Sequence, residues 1–97
     1  MATFVMLSKL TPEGRKTLKA NPGRIVEVNK EIEGLGAKVK SQFAVLGPYD
    51  FVTVLEAPDA KAVCKVSMEL SSRGTVEITS LQAMDIKDFV KGVSKKK

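Results

Sequence analysis

Residues 46–59, LGPYDFVTVLEAPD, contain a tight turn, a strand and the start of a helix. Gly47 and Pro48 suit the two central positions of a type II′ hairpin turn, which needs a positive φ first and a proline-like φ second. The apolar segment that follows predicts a strand. Pro58 ends that strand, and Asp59 is typical of a helix N-cap. The segment therefore divides the chain into two halves, each expected to form a β-α-β unit.

The half before the turn predicts a strand, two helical segments and a second strand. Residues 3–7 are apolar and β-branched, and Thr11 with Pro12 is typical of a helix start. Residues 21–23, Asn-Pro-Gly, interrupt this helix, and a second helical segment begins near Arg24. Its apolar side chains recur at spacings of three and four residues and form one stripe, namely Ile25, Val28, Ile32 and Leu35.

The remaining elements follow from the same patterns. Gly36 is expected to end the second helical segment in a left-handed conformation, and strands are predicted over residues 39–46 and 49–56. A two-residue turn pairs Leu46 with Tyr49, Ala44 with Phe51, Gln42 with Thr53 and Lys40 with Leu55. The next helix has an apolar stripe of Ala62, Val63, Val66 and Leu70, a strand covers residues 75–81, and Asp85 caps a short terminal helix.

The order β-α-β-β-α-β predicts an α+β fold of the ferredoxin-like, split β-α-β kind, a four-stranded antiparallel sheet with its helices on one face. We expect the helix-facing side to carry Phe4, Met6, Phe43, Val45, Val52, Val54, Val76 and Ile78. The other side would carry Thr3, Val5, Leu7, Lys40, Gln42, Ala44, Phe51, Thr53, Leu55, Glu77, Thr79 and Leu81. Such a half-apolar face predicts an interface or a ligand cleft, and two copies packed sheet to sheet would cover it.

The composition limits the available chemistry. The 97 residues include no His and a single cysteine, Cys64, which excludes a His-based metal site, a Ser-His or Cys-His pair and an internal disulfide. There is no glycine-rich phosphate loop. We therefore predict no metal and no cofactor, favour a binding module over an enzyme, and interpret Cys64 as a small packing residue.

The charge is unevenly distributed. The formal net charge is +5, but Lys91 and residues 95–97 account for most of it and the rest of the chain carries about +1. We predict one domain over residues 1–90 and a lysine-rich tail over residues 91–97. The apolar runs are too short to span a bilayer and the N-terminal residues lack the regions of a signal peptide. We expect a cytoplasmic protein without membrane contact.

The chain resembles the GYD domain family, whose Gly, Tyr and Asp signature corresponds here to Gly47, Tyr49 and Asp50. The resemblance spans residue 1 to about residue 89 and leaves out the tail. It rests on the segments Met1-Ala2-Thr3-Phe4-Val5-Met6-Leu7, Val39-Lys40-Ser41, Leu46-Gly47-Pro48-Tyr49-Asp50 and Glu56-Ala57-Pro58-Asp59. It implies the dimeric α/β-barrel kind of ferredoxin-like fold, which also hosts cofactor-independent oxygenases, haem-degrading enzymes and ligand sensors. It transfers no catalytic role, because the family has no established activity.

The candidate ligand-binding residues are Tyr49, Asp50, Lys40, Gln42, Thr53, Glu77 and Thr79. Tyr49 could orient a polar ligand or simply pack beside the turn. Asp50 could act as a base, bind a cation or bond nearby backbone N–H groups. The other five would line a dimer cavity that holds a small carboxylate or carbonyl compound. Alternatively, Lys40 and Glu77 form a structural ion pair or both lie at the solvated rim. Arg24 and Arg73 are candidate anion ligands or ordinary surface residues.

The leading hypothesis is a homo-oligomeric module, most simply a homodimer, that binds a small ligand in or near the cavity between the sheets and has a regulatory role. An alternative is a cofactor-independent oxygenase or isomerase that uses Tyr49, Asp50 or Lys40. The least favoured alternative is nucleic-acid contact through the lysine tail, because the rest of the chain is nearly neutral and has no strip of aromatic and basic residues.

Overall fold

The computed structural model describes residues 1–94, which form a four-stranded antiparallel sheet and four helices. The elements in chain order are β1 (Ala2–Leu10), α1 (Pro12–Ala20), α2 (Arg24–Gly34), β2 (Lys38–Ala44), β3 (Phe51–Ala57), α3 (Ala60–Ser71), β4 (Val76–Ala83) and α4 (Ile86–Val93). The strands lie in the order β2-β3-β1-β4, which is that of the split β-α-β arrangement. The predicted α+β, ferredoxin-like fold is confirmed.

Local capping explains where the helices begin. The Thr11 hydroxyl accepts a hydrogen bond of 3.1 Å from Gly14 N, and Asp59 accepts one of 3.0 Å from Ala62 N at the start of α3. Gly36 follows α2 with a φ of +107°, a conformation that glycine adopts without steric cost. These sequence predictions are confirmed.

The core lies between one face of the sheet and the helices α2 and α3. Ile32 of α2 is buried, and the predicted stripe of α3 points inward. Burial of these side chains is the main favourable contribution to folding. The buried apolar residues are Phe4, Met6, Ile32, Ala37, Leu55, Ala57, Val63, Val66 and Leu70.

The connection between β2 and β3 differs from the predicted two-residue turn. Gly47 has the expected positive φ, +127°, but β2 ends at Ala44 and β3 begins at Phe51. The loop is closed by a hydrogen bond of 2.9 Å from Val45 N to Asp50 O. Asp50 also donates its N–H to Ser8 O at 2.8 Å, so β1 holds the end of the loop and the turn is wider than predicted.

The predicted pairing of Ala44 with Phe51 and of Gln42 with Thr53 is confirmed, but the pairing of Lys40 with Leu55 is wrong. The predicted pairing of Leu46 with Tyr49 is also wrong, because both residues lie in the loop between the strands. The register shifts between Val39 and Ser41, and Val39 takes the place opposite Leu55. A β-bulge places one extra residue in one strand, which here is Lys40.

The predicted faces of β2 and β3 are also wrong. Phe4 and Met6 face the helices and pair with Leu55 and Thr53, and directly paired residues share a face. The side without helices, called the open face below, therefore has a different membership from the one predicted. It consists of Thr3, Val5, Leu7, Lys9, Lys38, Ser41, Phe43, Val52, Val54, Glu56, Glu77, Thr79, Leu81 and Ala83.

α4 adds nothing to the core, since none of its residues is buried. Its apolar residues Ile86, Phe89, Val90 and Val93 are all at least half exposed and share one side at helical spacing. The radius of gyration is 15.1 Å, against about 12.5 Å for a compact chain of this length, as expected when an element projects from the body. Within residues 1–94, no helix has the length and hydrophobicity needed to cross a membrane.

Candidate functional site

A cleft of about 350 Å³ lies between the helices α1 and α2 and the helix-facing side of the sheet. The first turn of α1 is bonded to the segment just before the edge strand β4. Thr11 N donates to Thr75 O at 3.1 Å, and the Thr11 hydroxyl donates to Gly74 O at 2.8 Å. Gly14 faces the Thr75 carbonyl so closely that a methyl group there would overlap it. The close contact anchors the start of the helix, and the cleft lies beside it.

The walls of the cleft are mainly apolar. Met6 and Ile78 line it from the sheet, and Leu18, Ile25 and Val28 line it from the helices. The apolar stripe predicted for α2 therefore serves two purposes: Ile32 belongs to the core, and Ile25 and Val28 lie at the cleft.

The polar groups inside the cleft are amides and hydroxyls. Asn29 of α2 donates to the Gln42 side-chain oxygen at 2.7 Å and accepts from the Gln42 nitrogen at 3.2 Å. The same nitrogen donates to the Thr53 hydroxyl at 3.0 Å. Thr53 is only 1% exposed, so this network joins α2 to the sheet across buried surface, where unpaired polar groups are costly.

Ser8 is the other buried polar residue at the cleft. Among residues 1–94 its hydroxyl takes part in no hydrogen bond. Ser8 lies opposite Phe51, two residues from Thr53 along β3, so the two hydroxyl-bearing residues are diagonal neighbours on the same face.

Two arginines stand at the rim, and both are paired with glutamates. Arg73 contacts Glu31 at 2.6 Å and Glu69 at 3.2 Å, and Arg24 contacts Glu27 at 3.0 Å and Glu31 at 3.6 Å. The hydrogen bond from Arg73 holds the pKa of Glu31 below its ordinary value, and the same bond raises the pKa of Arg73. Both positive charges are engaged by the three glutamates, which does not favour the predicted anion-binding role.

The sequence-predicted site residues are divided among three places. Gln42 and Thr53 meet in the cleft, on the side opposite to the one predicted. Glu77 and Thr79 lie on the open face of β4, as predicted. Lys40 is exposed at the bulge of β2.

Lys40 and Glu77 do not form the predicted alternative ion pair within one chain. β2 and β4 are opposite edges of the sheet, so the two backbones are roughly 14 Å apart. Lys40 is also remote from the signature residues, because it lies four positions along β2 from Ala44, the partner of Phe51, or about 13 Å. Lys40, Tyr49 and Asp50 therefore do not form one site in a single chain.

Asp50 bonds a backbone N–H, as one of its three interpretations predicted, but the donor is distant in sequence. Its carboxylate accepts a hydrogen bond of 2.8 Å from Leu10 N. Tyr49 is partly buried beside it. Cys64 is exposed, so its interpretation as a packing residue is wrong. In the part of the chain that the structure describes, no cluster of His, Cys, Asp and Glu could hold a metal ion.

Sequence reasoning missed Ser8 and Asn29 as residues of the cleft. Asn29 lies four residues after Ile25, on the apolar side of α2, and Ser8 continues the inward alternation of Phe4 and Met6. A polar residue at a position that periodicity assigns to the core is the signal that could have identified both.

The comparisons with known proteins fit this structure. The profile of the GYD domain family matches residues 4–93. A protein of Thermus thermophilus that is called "Glutamine synthetase and cystathionine beta-lyase binding protein" is 50% identical over 91 residues, which cover 93% of this chain and 96% of that protein.

Two solved structures superpose on this chain, and the first of them is similar in fold. A crystal structure of a second Thermus thermophilus protein superposes with a TM-score of 0.56 at 23% identity, covering 88% of this chain and 95% of the other. A dimeric ferredoxin-like protein from an uncultured marine organism has a TM-score of 0.44 at 9% identity, with 99% and 98% coverage.

Proposed function

This chain belongs to the GYD domain family, and we propose that it is a cytoplasmic binding module for metabolic enzymes. Glutamine synthetase and cystathionine β-lyase are the first partners to test. The observation that carries the proposal is the relative from Thermus thermophilus, which is named as the binding protein of those two enzymes and is 50% identical over nearly the whole of both chains. Because the alignment covers nearly all of both chains, it supports the presence of the same binding surface in both proteins.

α4 is the element we assign to the partner enzyme. Its apolar residues are exposed at positions 86, 89, 90 and 93, the spacing by which an amphipathic helix fills a hydrophobic groove. The polar side of the helix carries Lys87, Asp88 and Lys91. Because no residue of α4 is buried in its own chain, the stripe is available to another protein.

The test is a direct binding measurement with purified proteins. The full chain is immobilised and exposed to purified glutamine synthetase and cystathionine β-lyase from the same organism, and biolayer interferometry records binding. We expect both enzymes to bind, and the double variant Phe89→Ser with Val93→Ser to bind at least about tenfold more weakly, because two apolar anchors are lost.

Val26→Ser is the matched control. Val26 is about as exposed as Phe89 and Val93, but it belongs to a different helix, α2. Its binding should equal that of the unaltered chain. The proposal is overturned if neither enzyme binds at the highest soluble concentration. The assignment of α4 is overturned if the double variant binds as well as the control.

We also propose that two copies of the chain pair through the open face. Val5, Leu7, Val52 and Val54 form its centre, and Phe43 and Leu81 are 59% and 48% exposed beside them. A contiguous apolar patch of this kind usually marks an interface. Sheet-to-sheet packing would bury it and leave the cleft on the opposite, helix-facing side of each copy.

A further inference from the structure

We propose that the cleft between α1, α2 and the sheet binds a small, uncharged and largely apolar compound that carries a carbonyl or similar acceptor oxygen. The site is separate from the open face and from α4, so the inference does not depend on the proposed protein partners. It also differs from the ligand site expected from the sequence, which lay between two sheets.

The shape and the walls define the size and the apolar character of the ligand. The cleft measures about 350 Å³, within the range of about 300–1,000 Å³ that holds small organic molecules. Leu18, Ile25 and Val28 on one side and Met6 and Ile78 on the other would enclose an apolar ring system or chain. Water forms few hydrogen bonds with apolar side chains, so displacing it from these walls favours binding.

The hydroxyl groups of Ser8 and Thr53 define the acceptor. Both Gln42 side-chain N–H groups are used, one on Asn29 and one on the Thr53 oxygen. The Thr53 hydroxyl therefore accepts a bond, while its own proton has no acceptor among residues 1–94, and neither has that of Ser8. A carbonyl oxygen has two lone pairs and would accept from both hydroxyls.

The charges at the rim do not favour an anionic ligand. Arg24 and Arg73 are engaged by Glu27, Glu31 and Glu69, so the rim offers no surplus positive charge. The residues deeper in the cleft that carry polar groups are amides and alcohols. A carboxylate inside would lose its hydration without gaining a counter-ion, which disfavours its binding.

Three probes of nearly the same shape separate the effect of the acceptor oxygen from the effect of a negative charge. The neutral ketone 2-acetylnaphthalene has the acceptor oxygen, 2-ethylnaphthalene lacks it, and 2-naphthoate is an anion. Each is titrated into the full chain while amide shifts are followed by NMR. We expect the ketone to perturb the amides of Ser8, Val28 and Thr53, and to bind at least about threefold more tightly than 2-ethylnaphthalene and about tenfold more tightly than 2-naphthoate.

The variant Ser8→Ala should weaken the binding of the ketone by about threefold to tenfold, the effect of one hydrogen bond. The binding of 2-ethylnaphthalene should stay unchanged. Ser41→Ala is the matched control, an exposed serine on the open face. Circular dichroism checks that both variants are folded. If Ser8→Ala is unfolded, Ser8→Thr, which keeps the hydroxyl but adds a methyl group inside the cleft, should weaken all three probes.

Each other result contradicts the proposal. Binding of 2-naphthoate as tight as that of the ketone would overturn the uncharged class. Equal binding of ketone and hydrocarbon, or no effect of Ser8→Ala, would overturn the role of the hydroxyls. If none of the probes perturbs amides of the cleft, the cleft is not a binding site for this class of compound.

Discussion

Asp50 ties the loop after β2 to the end of β1 through both its backbone and its side chain. Its N–H donates to Ser8 O at 2.8 Å, its carbonyl accepts from Val45 N at 2.9 Å, and its carboxylate accepts from Leu10 N at 2.8 Å. A carboxylate that accepts a backbone N–H forms a charge-assisted bond. The Asp of the family signature therefore has a structural explanation that requires no catalysis.

We predict that Asp50→Ala destabilises the chain by about 1–3 kcal/mol, because the partly buried N–H of Leu10 would lose its acceptor. Urea unfolding followed by circular dichroism measures the difference. Asp50→Asn is the control, since its side-chain oxygen can still accept, and its loss should be smaller. Equal stability of the alanine variant and the unaltered chain would show that water replaces the carboxylate without cost.

The ion pair between Arg73 and Glu31 predicts a dependence of stability on pH. The hydrogen bond from Arg73 lowers the pKa of Glu31 from its ordinary value of 4.5, while desolvation opposes it. A carboxyl whose pKa is lower in the folded state stabilises that state above the unfolded pKa, and the contribution disappears as the pH falls through the folded pKa.

Arg73→Gln should therefore lower the free energy of unfolding at about pH 7, and the difference from the unaltered chain should shrink as the pH falls below 4.5. The effect should also decrease with added salt, because the pair is partly exposed. Urea unfolding at several pH values gives the comparison, with Arg15→Gln, an exposed arginine of α1, as the control. A difference that stays constant down to about pH 2.5 would contradict the assignment.

At the scale of the elements, α1 is positioned by its first turn. The Thr11 cap bonds to the segment before β4, and Gly14 lets the helix approach the Thr75 carbonyl. This contact holds one end of the helix against the sheet edge, while Leu18 further along lines the cleft. The same glycine that permits the contact therefore also determines where the cleft begins.

Gly14→Ala is predicted to destabilise the fold by about 1–3 kcal/mol, because the added methyl group would overlap the Thr75 carbonyl oxygen. Gly34→Ala, at the end of α2, is the matched control: a methyl group there meets no atom within 4 Å. It should be neutral or stabilising by up to about 1 kcal/mol, the difference in helix propensity. Thermal unfolding of both variants measures the two effects. Similar melting temperatures for the two variants would show that α1 shifts to make room.

At the scale of the whole molecule, the chain has two faces of different character. The helix-facing side of the sheet contains the buried core and, at one end, the cleft. The open face is apolar at its centre and is not covered by helices. Val54 lies at the middle of the open face, paired with Val5 on one side and Ser41 on the other. A second copy of the chain is the occupant that we propose for this face.

Val54→Lys is predicted to raise the Kd of the proposed dimer by roughly a hundredfold or more, because each of the two copies would place a positive charge in the apolar contact between them. Sedimentation velocity over a range of concentrations measures the change. The control Val26→Lys adds the same charge at a residue of α2 that is 59% exposed and should leave the Kd unaltered. A monomeric unaltered chain, or a Val54→Lys variant that dimerises normally, would contradict the sheet-to-sheet arrangement.

Much of this structure follows from short-range patterns. Thr11, Asp59 and Asp85 cap their helices as predicted, since a cap depends on residues two or three positions away. The signature residues identified the family, and the order of strands and helices predicted the ferredoxin-like fold. The tail residues 95–97, and with them most of the predicted nucleic-acid contact, lie outside the described residues.

The amino-acid sequence by itself determined the elements, their caps, the family and the register of the central hairpin near its turn. Only the tertiary structure decided which face of β3 is buried, because Val52 and Val54 are as apolar as Leu55 and alternation alone cannot rank them. The pairing of Phe4 with Leu55, which are far apart in the sequence, made that choice. It turned Thr53 and Gln42 away from the proposed partner copy and toward Asn29, and so placed the cleft beneath the helices.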